Sequence, residues 1–284
     1  MKNIFDGNAR LFFWVVLLIV ITTLLLCSCG TKQKQSQPSS ALDQAQAKGE
    51  FYISKITDDI YKERCDKLTF KSLYAAAAYS LKGIEVDLSA LEDNGKWNRD
   101  VAPCYPDNSK SEISFDGMVG VLHYILAHKD DNMLGRLITY GNEHSWIMGE
   151  GPKEYTNIYV LTPMIFNLRS HMSLVDNPVT DILKGFKGHL LVDYLWLEAE
   201  KDGTLGAADM ETLRQLKAAS PDDPMYSALY HRFTDGDQTE ALDILLNNAA
   251  FPNSSLPMET GVFNWGSAPA SVYYLVTLAI IEGK

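Results

Sequence analysis

Hydrophobic positions in the body of the chain recur at three- and four-residue spacing, and long alternating β-branched runs are absent. That period marks amphipathic helices rather than half-buried strands. From Leu68 to Leu81 the segment holds Ala75-Ala76-Ala77-Ala78 between Tyr74 and Tyr79. An alanine run favours helix and leaves a flat surface that a second helix can approach closely. Over 115–146, Val119, Leu122, Ile125 and Leu126 share one face. His128-Lys129-Asp130-Asp131 then turns the chain, and Met133, Leu134, Leu137, Ile138 and Tyr140 resume the spacing. So short a link predicts an antiparallel helical hairpin. Further helices are expected at about 159–173, 183–200, 207–219, 222–232, 237–248 and 268–282. Asp202-Gly203 and Asp235-Gly236 punctuate them, Ser220-Pro221-Asp222-Asp223 starts one, and Ser267 with Pro269 starts the last. Regions 83–112 and 249–266 read as long loops, which on a helical scaffold often carry function. The expected fold class is all-α, with antiparallel hairpins forming an incomplete or small α/α toroid. A closed toroid of about twelve helices with ordinary lengths and loops would need more than roughly 250 residues.

The N-terminus follows a different pattern. Residues 11–26, LFFWVVLLIVITTLLL, are sixteen uncharged positions preceded by Lys2 and Arg10. A basic start followed by an apolar stretch of this length reads as an export signal. The run meets Leu26-Cys27-Ser28-Cys29-Gly30. Leu three before a Cys and Ser one before it resembles the bacterial lipobox, in which the chain is cut before the Cys and the Cys takes a lipid. The resemblance implies a signal peptide over 1–28, a lipidated Cys29 as the first mature residue, and attachment to the membrane of the cell envelope. Gly30 rather than Asp after the Cys implies the outer membrane if the bacterium is Gram-negative. The alternative is a transmembrane helix, which needs about 20 apolar residues. This run reaches nineteen only by counting Cys27, Ser28 and Cys29. Residues 31–50 are polar, with five Gln and no apolar periodicity. The expected organisation is therefore a lipidated flexible tether over 29–50 and a single helical domain over 51–284.

Charge narrows the partners. The chain carries 25 Lys and Arg against 36 Asp and Glu, a net charge of −11. Nucleic-acid binding draws its affinity from basic groups neutralising phosphate, so no nucleic-acid partner is expected. Once Cys27 leaves with the signal and Cys29 is lipidated, Cys65 and Cys104 remain. Two leftover cysteines in an oxidising compartment are expected to pair, closing a loop worth about 3–4 kcal/mol in the chain-entropy treatment. The alternative is two buried thiols.

Candidate chemistry centres on Ser111-Glu112-Ile113-Ser114-Phe115-Asp116-Gly117-Met118. Ser-Glu, four residues, then Gly-Met is similar to a signature of family 8 glycoside hydrolases. That resemblance implies an (α/α) toroid in which Glu112 is the acid. The match departs from the family at Ile113 and Asp116. In place of the family's second acidic motif stands Met148-Gly149-Glu150-Gly151-Pro152. Independently of the family, Asp116 opens one helix of the expected hairpin and Glu150 follows the end of the other, which puts both at one rim. Glycosidic hydrolysis needs two carboxyls about 5–5.5 Å apart for retention or 6.5–9.5 Å for inversion. Glu112, Asp116 and Glu150 are the candidates, with Trp146 as a flat face for a sugar ring. The bland readings are a first-turn acid on the helix dipole for Asp116 and a solvated turn residue for Glu150.

Three weaker candidates complete the set. His189 and Asp193 lie one helical turn apart and suit a local hydrogen bond better than a metal, since no third ligand is spaced to join them. Trp265, beside Gly266 at the start of the last helix, lines a pocket or plugs the core. Tyr194 and Trp196 read as core. No Gly-rich phosphate loop and no Gly-x-Ser-x-Gly elbow occurs, so no cofactor and no metal are expected. Two functions compete: a paired-carboxylate glycan hydrolase of the envelope, and a non-catalytic envelope lipoprotein that binds a glycan or a protein.

Overall fold

Ser40 opens the first helix by a reciprocal cap. Its hydroxyl accepts from the Asp43 N–H at 3.1 Å, while the Asp43 carboxylate accepts from the Ser40 N–H at 2.9 Å. Two otherwise orphaned donors are satisfied, so a helix starts where composition alone suggests a tether. The computed structural model describes residues 40–57, 67–99, 113–151, 156–170, 194, 196–197, 201, 203–258 and 269–283. Nine α-helices lie among them. They are α1 (Ala41–Lys55), α2 (Lys67–Lys82), α3 (Phe115–His128), α4 (Asp131–Glu143), α5 (Thr162–Ser170), α6 (Ala207–Ala219), α7 (Pro224–Arg232), α8 (Thr239–Asn247) and α9 (Ala270–Ile281). The only sheet among the described residues is a ribbon of β1 (Glu92–Asp93) and β2 (Lys96–Trp97).

α9 is apolar all round, and every residue from Ala270 to Ile280 is buried. A helix of that kind belongs at the centre of a core. α2, α7, α1 and α8 all pack on it. α1 joins through Ala45, Lys48, Gly49 and Tyr52, which fall on one face at helical spacing. A Cβ on Gly49 would stand 2.7 Å from Leu278 Cδ2, so glycine there sets how closely α1 and α9 approach. Ala41–Glu50 therefore belongs to the folded unit, which starts at Ser40 rather than at residue 51. The expected tether is corrected accordingly. The segment reads as polar because α1 packs through Ala45, Gly49, the stem of Lys48 and a single tyrosine rather than through a stripe of large aliphatic residues.

The helices expected over 68–81 and 207–219 lie where the periodicity places them, those of the 115–146 hairpin and those over 159–173, 222–232, 237–248 and 268–282 differ mainly at their ends, and the one expected over 183–200 lies largely outside the described residues. The link between α3 and α4 is Lys129, left-handed at φ +52°, followed by Asp130, whose side chain accepts from the Met133 N–H. Yet the main partner of α3 is α2, not α4. Gly117 and Gly120 explain this. A Cβ on Gly120 would meet Ser72 Oγ at 2.1 Å, and one on Gly117 would meet Leu68 Cδ2 at 2.9 Å. Glycines on α3 thus seat it against the alanine-rich α2, as the flat face of that helix suggested.

Tyr194 and Trp196 are buried, and Trp196 stacks on His123 of α3 at 3.8 Å. The fold is all-α. Four helices pack on α9, while α3 packs on α2, α5 on α4 and α6 on α7, and a ring of hairpins is not established by these contacts. No helix among the described residues is long and apolar enough to cross a membrane.

Candidate functional site: a groove on the polar face of α4

α4 turns Met133, Leu134, Leu137, Ile138 and Gly141 inward. The opposite face carries Asp131, Asn132, Gly135, Arg136, Thr139, Tyr140 and Glu143, and it forms one wall of an open groove of about 600 Å³. Asp93 and Asn94 of the ribbon, His144 after α4, and Arg169 of α5 complete the lining. Tyr140, expected on the buried face, is half-buried and turned to the groove.

The ribbon is placed by its turn. Asn94 and Gly95 take φ +47° and +95°, the pair of left-handed residues a tight two-residue hairpin requires. The turn sits directly on α4: a Cβ on Gly95 would lie 2.2 Å from the Arg136 carbonyl oxygen and 3.0 Å from Tyr140 Cβ. A fork of two bonds fastens it. Arg136 donates from Nε and Nη2 to the two oxygens of Glu92, each at 2.6 Å, and the Gly95 N–H donates to Glu92 Oε1 at 3.2 Å. The Glu92 side chain is only 8% exposed against 39% for Arg136, so the carboxylate end is shielded from solvent and the two-bond fork stands above an ordinary surface bridge. The bond to Glu92 holds the Arg136 pKa above its usual value. Alanine at Gly95 is expected to lift the ribbon from α4 at a cost of about 2–4 kcal/mol, from left-handed strain plus a clash with rigid backbone. A urea midpoint unchanged from the parent would refute that seating.

Tyr140 and His144 stack in parallel, with ring centroids 4.0 Å apart and planes at 12°. His144 Nδ1 also lies 2.9 Å from the Tyr140 carbonyl oxygen, so the pair is held from both ends. The groove thus combines three carboxylates, two primary amides, two guanidinium groups, a hydroxyl and an aromatic pair. This assortment of donors and acceptors can meet a ligand rich in hydroxyls. Among the described residues no group of three or more His, Cys, Asp or Glu side chains is placed to hold a metal.

The residues singled out from the sequence fall elsewhere. Asp116 lies half-buried in the first turn of α3, behind the Ser114 cap that accepts from the Gly117 N–H at 3.2 Å. Glu150 is exposed within the loop that the Ile147–Asn157 bridge closes, where Gly149 and Gly151 take φ +77° and +117°. Neither lines the groove. Trp146 is 6% exposed and does not offer an open face to a sugar. Its ring covers Gly141, where a Cβ would sit 2.4 Å from it, and it meets Phe166 of α5 edge-on at 5.6 Å. It locks the end of α4 to α5. Glu112, His189, Asp193, Trp265, Cys29, Cys65 and Cys104 lie outside the described residues.

The groove residues went unread for a physical reason. A polar helix face looks alike in sequence whether it meets bulk water or lines a recess. Two signals were nonetheless present: Asn94-Gly95, a strong hairpin signal inside an apparent loop, and Gly135, a glycine inside an otherwise regular helix. A second cluster joins α6, α7 and α8. His231 lies between Asp235 at 2.8 Å and Glu240 at 2.7 Å, and Lys217 reaches Glu240 at 2.7 Å. Burial pulls the His231 pKa down, but the bonds to the two carboxylates outweigh it and the net shift is upward. Both ring nitrogens are occupied, so this cluster reads as a clasp between helices.

Comparison of the chain with family models, curated proteins and solved structures finds no match.

Proposed function

We propose that the chain is a lipid-anchored protein of the cell envelope, held at the membrane through Cys29, whose helical domain binds a glycan in the α4 groove without cleaving it. One observation carries the binding half. The groove presents amide, carboxylate, guanidinium and hydroxyl groups beside the Tyr140–His144 pair, the mixture that hydrogen-bonds vicinal hydroxyls while an aromatic face covers a sugar ring. Binding is favoured over hydrolysis because Asp116 and Glu150, the described members of the expected catalytic set, both lie outside the lining. Asp93, Asp131 and Glu143 outnumber Arg136 and Arg169, and Arg136 is already paired, so a polyanion does not suit the groove. The anchor half rests on the apolar run and Leu26-Cys27-Ser28-Cys29.

The full-length chain tests both halves. Calorimetry against chito-, cello- and xylo-oligosaccharides is expected to show binding that Tyr140→Ala weakens about tenfold or more, the loss of one aromatic contact, with no new reducing ends released. Cys29→Ala is expected to move the protein from the membrane to the soluble fraction. Absence of binding to every oligosaccharide refutes the glycan groove, released reducing ends restore the hydrolase reading, and unchanged membrane partition removes the anchor.

A further inference from the structure

Gly135 sits in the middle of α4, half-buried, yet among the described residues no atom beyond its chain neighbours and the helix's own backbone lies within 4 Å of where its Cβ would be. Packing does not explain a glycine there. The other helical glycines nearby have such an explanation: Gly117, Gly120 and Gly141 each have a neighbour within 3 Å of that position. Nor does backbone conformation, because Gly135 is not among the residues of positive φ. A glycine in a helix interior costs stability relative to alanine through backbone entropy, and no packing contact among the described residues recovers that cost at this site.

The surroundings indicate what does. Neighbours on a helix surface are three and four residues away, so Gly135 is ringed by Asp131, Asn132 and Thr139. All three line the groove. The Thr139 hydroxyl donates to the Gly135 carbonyl oxygen at 3.0 Å, which fixes that side chain at the edge of the dimple. A carboxylate, an amide and a hydroxyl thus surround a patch of bare helix, with the Tyr140–His144 stack one turn further on.

We infer that the bare backbone at Gly135 is the floor on which one pyranose unit of the glycan rests flat, its hydroxyls hydrogen-bonded by Asp131, Asn132 and Thr139. This rests on the glycan-binding reading of the groove and names the subsite within it. A methyl group at residue 135 would raise the floor where the ring must lie, while relieving the backbone-entropy cost in the unliganded chain. Stability and binding therefore move in opposite directions on one substitution, a signature that a purely structural glycine does not produce.

The experiment compares the full-length parent with Gly135→Ala, Gly135→Leu and Tyr140→Ala, using six-unit chito-, cello- and xylo-oligosaccharides as probes. Gly135→Ala is expected to raise Tm by about 2–4 °C and to weaken oligosaccharide binding about tenfold, with Gly135→Leu abolishing it. Gly135→Ala that gains stability and binds like the parent, while Tyr140→Ala binds weakly, overturns the floor and leaves the groove. A lowered Tm also overturns it, because glycine would then be needed for the fold. A parent that binds none of the probes removes the groove reading itself, and the floor with it.

Discussion

Replacing Tyr274 by alanine is expected to lower stability by about 3–5 kcal/mol, as for other large aromatic truncations in a core. Tyr274 is fully buried on α9. Its ring meets Tyr52 of α1 edge-on at 5.0 Å and Phe251 at 5.3 Å, and its hydroxyl donates to the Ala45 carbonyl oxygen at 2.9 Å. Lys48 of α1, itself buried, stands 5.3 Å from the ring centre. The substitution removes the ring packing on Tyr52 and the hydrogen bond to Ala45 at once, and leaves the Gly49–Leu278 approach of α1 to α9. Tyr274→Phe keeps the ring and loses only the hydroxyl bond, so about 0.5–1.5 kcal/mol is expected. Urea midpoints of the two variants separate packing from hydrogen bonding. If Tyr274→Ala costs no more than Tyr274→Phe, α1 is not part of the cooperative core and residues 41–50 return to the tether.

Raising the pH through neutrality is expected to destabilise the fold through Asp223. This side chain caps α7, accepting from the Met225 N–H at 3.0 Å and the Tyr226 N–H at 3.4 Å, and it accepts the Tyr273 hydroxyl from α9. Its second oxygen is buried without a hydrogen-bond partner. Burial pushes its pKa from 3.8 up to about 7, against the pull of the two backbone donors. The folded value lies above the unfolded one, so the fold binds the proton more tightly than the open chain does. The associated stability is complete below about pH 4 and is lost as pH rises through about 7, on the order of 4 kcal/mol in all.

His231, whose pKa is also raised, loses its contribution with rising pH in the same direction. The clasp acids Asp235 and Glu240, with lowered pKa values, lose theirs only as pH falls. Asp223→Asn isolates the carboxylate: it retains an oxygen for the three donors and cannot ionise. The difference in unfolding free energy between parent and variant should change by several kcal/mol between pH 4 and pH 8. A difference that stays flat across that range would show that Asp223 titrates normally.

Tyr274 and Asp223 both act through contacts between segments far apart in the chain, which local sequence pattern does not show. Helix positions are legible because their causes lie within a few residues: apolar spacing, the alanine run of α2, and the turn at Ser220-Pro221-Asp222-Asp223, although α7 itself starts at Pro224 behind the Asp223 cap. The helix at Ser40 was legible in principle through Ser40 and Asp43, but weak hydrophobicity concealed it. Trp146 shows the limit from the other side. An aromatic near glycines suits an open sugar platform or a buried lock equally well in sequence. Its contact with Gly141, five residues away, and with Phe166 on another helix decided for the lock.

The sequence by itself determined an all-α domain, its main helices, the apolar N-terminal run with its cysteine motif, and an acidic charge balance. Tertiary structure decided that α9 is central, that α3 pairs with α2, and that Ser40 begins the folded unit. It also separated Asp116 and Glu150 from the groove and built that groove from the turn at 93–95, the polar face of α4, and Arg169. The physical reason is range. Helix formation and capping are settled by bonds between residues four or fewer apart, whereas a groove exists only where separate surfaces meet, and each surface alone reads as ordinary solvent-facing chain.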